Sequence, residues 1–263
     1  MVKLKNINRF NPPWVISHRG DSQNFPENTL AAIQAAVAAG VPMIEIDVMF
    51  SHDRKLVVIH DATLERTTNG QGAVNDFSME ALKQLDAGSW FSSEFADERL
   101  PELYEVLDLV NGQARLNIEI KAQAYEHRHP QDAIEKQVVD LVKQKNLQET
   151  VLISSFEIDI LVQIASMEDP PAIALISKTP ATKRIVAICK HLNVFSWHPD
   201  QRIATPHQVD MMHAAGLKVF PYNVDTFEDY QKMINMQVDG VITDDPVTAD
   251  QWSRIPNAVS ASM

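Results

Sequence analysis

The sequence predicts an α/β fold, a TIM (β/α)8 barrel, and three observations lead there. Short apolar strand candidates alternate with helix candidates almost to the end of the chain. Eight such pairs fill the 263 residues, the span one barrel of this kind occupies. Two of the strands carry polar or charged residues at every second position, so one face of each turns acids and an amide toward a common side. A doubly wound sheet is the competing architecture. It calls for a nucleotide-type Gly-rich turn after the first strand, and SHRGDSQN is not one.

The strand candidates run 14–19, 43–50, 116–120, 151–156, 172–177, 194–198, 217–223 and 240–244. Residues 29–39 are Ala-rich and helical, closing at Gly40. Residues 101–111 open with Pro101 and stop before Gly112. In 131–146, Ile134, Val138, Leu141 and Val142 recur at helical spacing. Thr205-Pro206 reads as an N-cap with proline in the first turn, Gly216 ends that helix, and Pro246 opens the last one. Residues 61–100 break the alternation. A structureless loop of that length is uncommon in a compact domain, so the segment is expected to be a small insertion after the second barrel strand, packed over one mouth of a single 1–263 domain. Trp90, Phe91 and Phe95 in it are either its own small core or a wall of the substrate pocket.

Composition narrows the function. A formal charge of −12, with no Lys/Arg run longer than two, argues against nucleic acid as a partner. No apolar run reaches a membrane span, so stable membrane insertion is not expected. The N-terminal stretch has no apolar h-region, and a cytoplasmic location is the expectation. The lone Cys189 sits in a helical run and reads as a small core residue. The oligomeric state is left open.

Residues 43–50 and 56–61 are both strand-like, with about five residues between them, too few for a parallel crossover. They must form a hairpin, which sets His60 roughly opposite Asp47. Glu45 and Asp47 share one face of their strand, and Glu119 and Lys121 share one face of LNIEIK with Asn117. Buried carboxylates need cations or a metal. An all-oxygen set favours Mg²⁺ or Ca²⁺, and an ion-pair network at the barrel rim is the bland alternative. His18 and Arg19 end the first strand, while His60 ends a strand-like run at the same rim. Two imidazoles, Arg19, Lys121 and a carboxylate-bound cation suit phosphoryl transfer.

The ordered set HRG…PENT (18–20, 26–29), EID (45–47), HD (60–61), ERTTNGQG (65–72), DAGSWF (86–91), NIEIK (117–121), SSFEID (154–159) and DGVITDDP (239–246) resembles the glycerophosphodiester phosphodiesterase family, its cytoplasmic bacterial members most of all. The resemblance implies a barrel with an insertion and a divalent cation, Mg²⁺ or Ca²⁺. It implies Glu45, Asp47 and Glu119 as metal ligands, His18 and His60 as general acid and base, and Arg19 and Lys121 on the phosphate. A small-molecule glycerophosphodiester would be hydrolysed to glycerol 3-phosphate and an alcohol. Trp197 and Tyr222, at the ends of later strands, are expected to line the substrate pocket, with Trp197 preferred over His198. The chain departs from the family pattern at Asp225, where many relatives carry Asn, adding negative charge if it faces the site. Asn28 is expected to cap the 29–39 helix and Glu27 to brace Arg19. A lysophospholipase D-like enzyme, a metal-dependent lyase of the enolase type and an inactive binding barrel are the competing functions.

Overall fold

A computed structural model describes residues 13–128 and 130–255. The ends of the 1–263 span assigned to one domain lie outside them. Among the described residues there are nine strands: β1 (Trp14–His18), β2 (Met43–Phe50), β3 (Leu56–Val58), β4 (Arg115–Ile120), β5 (Val151–Ser155), β6 (Ala172–Ser177), β7 (Ser196–Pro199), β8 (Lys218–Val219) and β9 (Gly240–Thr243). All except β3 pair in parallel, in the order β8-β7-β6-β5-β4-β2-β1-β9. Pro221 lacks an amide hydrogen and cuts β8 to two residues. The barrel still closes there: Asp239 N donates to Val219 O, Ile242 N to Pro221 O and Val224 N to Ile242 O, at 3.1, 2.9 and 2.9 Å.

Helices α1 (Leu30–Ala38), α3 (Leu103–Val110), α4 (Ile134–Gln144), α5 (Ile158–Ala165), α6 (Lys183–His191), α7 (Pro206–Ala214), α8 (Phe227–Asn235) and α9 (Pro246–Ser253) each follow a barrel strand, and a short α2 (Met79–Leu82) lies in the 61–100 segment. None of them is long and apolar enough to cross a membrane. Side-chain oxygens of Thr29, Thr182, Thr205, Thr226 and Asp245 cap five of these helices.

Strand alternation divides the apolar residues between two layers. Ile44, Ile46, Val48, Ile118, Ile120, Leu175 and Trp197 join the cluster shared with the helices. Trp14, Ile16, Met43, Leu152, Ala174, Phe220 and Ile242 form a second, separate cluster, the barrel interior. It fills the lumen as a packed core rather than a pore. Cys189 is buried in α6, and burial pushes its thiol up to about 11.

β2 and β3 form the expected hairpin, with Val48 opposite Val58. The register therefore sets Ile59, not His60, opposite Asp47, and Ile59 N donates to Asp47 O at 3.1 Å. The strand ends at Val58, so His60 is no longer held to the pleat. Residues 61–100 carry α2 and two 3₁₀ turns, Val74–Asp76 and Ser93–Phe95.

Candidate active site

The C-terminal ends of the strands surround a cavity of about 510 Å³. Glu45 and Asp47 from β2 and Glu119 from β4 enter from adjacent strands, with Asp47 in register with Glu119. One carboxylate oxygen from each lies within 4.8 Å of the others, and all three residues are buried. Burial, then Asp47 and Glu119, push the Glu45 carboxyl well above the usual range. Burial and Asp47 raise Glu119 as well. Asp47 goes the other way. Burial opposes its charge, but Lys121 and Arg19 outweigh burial and hold it well below the usual range.

Lys121 Nζ sits 3.0 Å from Asp47 Oδ1 and 2.7 Å from Glu119 Oε1. Arg19 Nε lies 3.3 Å from Asp47 Oδ2, and the Arg19 backbone N–H donates to Glu45 Oε2 at 3.0 Å. That backbone contact needs a left-handed Arg19, φ 56°, followed by Gly20 at φ 85°. A Cβ on Gly20 would stand 2.6 Å from the Ala32 carbonyl carbon, so the HRG glycine is required both by its dihedral and by the approach of α1. Glu27 braces Arg19, accepting from Nη1 at 2.7 Å. Asn28 is not the helix cap. Thr29 takes that role, and Asn28 instead grips Asp47 twice, Nδ2 to Oδ2 at 2.9 Å and Oδ1 from the backbone N–H at 3.2 Å.

Both histidines line the cavity, and each rests its Nδ1 on a carboxylate at 2.5 Å: His18 on Asp244 Oδ1, His60 on Asp61 Oδ1. An ionised carboxylate only accepts, which puts the proton on Nδ1 and leaves Nε2 of each neutral ring as an acceptor. His18 Nε2 is 3.9 Å from Glu45 Oε2, so it faces the carboxylate triad. Burial lowers the pKa of His60, partly countered by Asp47. Asn223 Nδ2 stands 2.8 Å from His18 Nδ1 and donates to Asp244 Oδ1 at 3.0 Å.

Tyr222 lines the cavity with Phe156, their rings edge-on at 6.4 Å. Trp197 does not. Ser196 and His198 share the inner face of β7, where Ser196 Oγ lies 2.8 Å from His198 Nε2. Trp197, between them, points out into the layer packed against the helices. The pocket position expected for Trp197 belongs to His198. Trp90, Phe91 and Phe95 pack on one another and reach Phe25 of the β1–α1 loop, with centroids 5.5–5.8 Å apart. None lines the cavity; from this segment only Asp61 and Ala62 do. Asp225 is not part of its lining; it braces the β9 end by accepting from Thr243 Oγ1 at 3.0 Å and Asp244 N at 2.8 Å. The lining also includes Asn117, Phe156, Lys178 and Asn223, and Asp244 stands behind His18. None of the five was assigned a site role from sequence. Asn117 is legible in the LNIEIK alternation, and Asp244 carried a signal only as a polar residue at a strand's C-terminal end.

Residues 18–248 match the model of the glycerophosphoryl diester phosphodiesterase family. The chain belongs to that family. Among its relatives, the glycerophosphodiester phosphodiesterase of Caldanaerobacter subterraneus subsp. tengcongensis is 42% identical, over 89% of this chain and 95% of that protein. The Bacillus altitudinis glycerophosphodiester phosphodiesterase is 33% identical, over 88% and 94%. Among solved structures, an Oleispira antarctica phosphodiesterase in complex with the product sn-glycerol-3-phosphate has a TM-score of 0.84 and 32% identity, covering 92% of this chain and 96% of that one. Family membership leaves the lyase and inactive-barrel readings without support. The buried triad fits the divalent cation of the family on its own chemistry. It is an all-oxygen set, and Glu45 Oε1 is buried with no hydrogen-bond partner.

Proposed function

We propose that this chain hydrolyses glycerophosphodiesters to glycerol 3-phosphate and an alcohol, assisted by Mg²⁺ or Ca²⁺ held by Glu45, Asp47 and Glu119. The observation that carries the reading is the pair of carboxylate-backed imidazoles, His18 and His60, facing one cavity with the carboxylate triad. The relatives' named activity and the glycerol 3-phosphate held by the Oleispira antarctica protein point to the same chemistry.

A bound cation supplies Lewis-acid neutralisation of the phosphate's oxygen charge. The chain's own residues do the rest. Arg19 and Lys121 draw the phosphate in and oppose its growing negative charge. One imidazole takes a proton at Nε2 from the attacking hydroxyl, which belongs to water or to the substrate's own glycerol 2-position; in the second case a water, deprotonated in turn, then opens the resulting cyclic phosphate with the 2-oxygen as leaving group. The other, protonated, gives its Nε2 proton to the leaving alkoxide as the P–O bond breaks. Asp61 and Asp244 hold the two rings in orientation and offset the charge each gains. One arm of the diester lies against Phe156, Tyr222 and Lys178.

The test is release of glycerol 3-phosphate from glycerophosphocholine, glycerophosphoethanolamine and glycerophosphoglycerol, and of lysophosphatidate from a lysophospholipid, each with Mg²⁺, with Ca²⁺ and with chelator. Cation-dependent release from the water-soluble diesters is the expected result. Turnover of the lysophospholipid alone would turn the assignment to a lysophospholipase D, and release unaffected by exhaustive chelation would remove the metal.

A further inference from the structure

We infer that Arg66, in the ERTTNGQG stretch, is a positioning residue that holds His60 and Arg19 in working geometry together. This rests on the phosphodiesterase reading of the site.

Arg66 lies in the segment between β3 and α3; it is not itself part of the cavity lining and makes no hydrogen bond or ion pair to the carboxylate triad. Its guanidinium grips two carboxylates at once. Nη1 donates to Glu27 Oε2 at 2.6 Å and Nη2 to Glu27 Oε1 at 2.8 Å. Nε donates to Asp61 Oδ2 at 2.6 Å and Nη2 to Asp61 Oδ1 at 3.1 Å. Both carboxylates continue inward. Glu27 Oε1 also accepts from Arg19 Nη1, and Asp61 Oδ1 is the partner of His60 Nδ1. The proton-moving side and the phosphate-holding side of the site therefore meet at one planar cation, five positions beyond Asp61 and 39 beyond Glu27.

The geometry asks for arginine in particular. A guanidinium presents donors in a fixed fork that can serve two carboxylates in its own plane; an ammonium is a point charge with no such fork. Arg66 also answers an electrostatic need. Without it Glu27 would face only Arg19, and Asp61 only His60, so each carboxylate would be free to swing toward solvent. Burial pushes Glu27 up, but Arg66 and then Arg19 outweigh it and keep it ionised. Arg66 is also the main reason Asp61 stays down at about 2. Backbone hydrogen bonding fixes the turn that presents Arg66: Thr68 N donates to Leu64 O at 3.1 Å, and Thr68 Oγ1 to the same carbonyl at 2.7 Å. Arg66 itself is two-fifths exposed, so it adds little to the apolar packing of the segment.

The experiment compares Arg66→Ala and Arg66→Lys with the unaltered full chain on glycerophosphocholine, reading kcat, KM, melting temperature and the cation concentration for half-maximal activity. Arg66→Ala is expected to lower kcat/KM by roughly 10–100-fold, the scale of lost orienting partners. The loss should be split between a lower kcat, through His60, and a higher KM, through Arg19. Melting temperature and the cation midpoint should stay close to those of the parent, because Arg66 contacts no residue of the triad. Arg66→Lys should recover little, while added guanidinium ion should restore part of the Arg66→Ala loss and methylammonium should not. Unchanged kcat/KM in Arg66→Ala would overturn the inference. So would full recovery in Arg66→Lys, or a loss confined to kcat that tracks a fall in melting temperature with no guanidinium rescue. Absence of glycerol 3-phosphate release by the unaltered chain would instead overturn the functional reading beneath it.

Discussion

Replacing Glu45 with Gln removes an ionisable ligand from the triad while keeping the side chain's shape, and its effect on the cation response can be worked from the site. A ligand that binds only the folded chain stabilises it by about 2.7 kcal/mol at a hundred times its Kd. For a chain of this length each kcal/mol moves the melting temperature by about 2–4 °C. Saturating Mg²⁺ or Ca²⁺ should therefore raise the melting temperature of the parent by roughly 5–10 °C over the chelated protein. Glu45→Gln should lose most of that gain. In chelator, however, the variant should melt no lower than the parent, because burial, Asp47 and Glu119 all disfavour charge on Glu45 and glutamine carries none. The sign of the pH dependence follows from the same shift. With its folded pKa above its unfolded one, Glu45 contributes stability to the chelated protein below the unfolded value, lost as pH rises through the folded value. A cation must displace that proton, so the cation-induced gain shrinks as pH falls. Differential scanning calorimetry with each cation, with chelator and at several pH values reads all of these. A parent indifferent to every divalent cation, or a Glu45→Gln chain that keeps the full gain, would refute the triad as a cation site.

The other expectations follow from single contacts. His18→Ala and His60→Ala should each lower kcat by roughly 10²–10⁴-fold, and kcat/KM of the parent should be bell-shaped in pH. A p-nitrophenyl ester, whose leaving group needs little protonation, should rescue only the variant lacking the acid; near-full activity of both variants on the natural diester would end the two-histidine mechanism. His198 is fully enclosed and burial holds its pKa down to about 3, so the unfolded chain binds more protons between about pH 6.5 and 3 and stability falls as pH drops through that window. Between pH 7 and 5 this amounts to up to about 2 kcal/mol, which denaturant titration of His198→Gln should show removed; equal acid sensitivity in both chains would contradict it. Lys178 Nζ lies 5.3 Å from the Phe156 ring centre, on the face a trimethylammonium group would use, so Lys178→Glu should raise kcat/KM for glycerophosphocholine relative to glycerophosphoglycerol by roughly three- to tenfold, and an unmoved ratio would place that arm of the substrate elsewhere. Phe91→Ala should cost about 1–3 kcal/mol in the aromatic cluster without reordering the alcohol preferences; a reordering would restore the pocket-wall role.

The parts of this fold written at short range in the sequence are the parts a reader can recover from it. Helix starts at Thr205-Pro206 and Pro246 depend on caps and fixed proline dihedrals, and the structure has them at those residues. The inward acids were legible because a period of two along MIEID and NIEIK is a local property, and a polar residue at every second position of a buried strand stands out. The same logic fails on β7. In a parallel barrel both faces of a strand are buried, so an apolar Trp197 beside a polar His198 does not say which one faces the lumen. The lumen accepts large apolar residues such as Phe220 and Met43, while the outer layer holds Trp197. Only the neighbour of the same parity decides it, since Ser196 and His198 share a face and a hydrogen bond.

Residues that orient the candidate catalytic groups were the hardest to see, and the reason is topological. His18 and Asp244 are 226 positions apart and meet only because β1 pairs with β9 when the barrel closes. Arg66 reaches Glu27 across 39 positions through a segment with no regular period to read. His60 illustrates the reverse case. The hairpin register places it one residue away from the partner expected for it, yet it still reaches the cavity, because β3 stops at Val58 and the ring is then set by Asp61 and not by the pleat. Strand parity thus fixes which side chains can enter the site, whereas barrel closure and the ion pairs of the loops fix which of them work together. The carboxylate triad belongs to the first kind of information and the two histidine–aspartate pairs belong to the second. A substitution in the strands should accordingly act through the cation, and one in the Asp61–Arg66–Glu27 bridge through proton transfer and phosphate binding with cation affinity left intact.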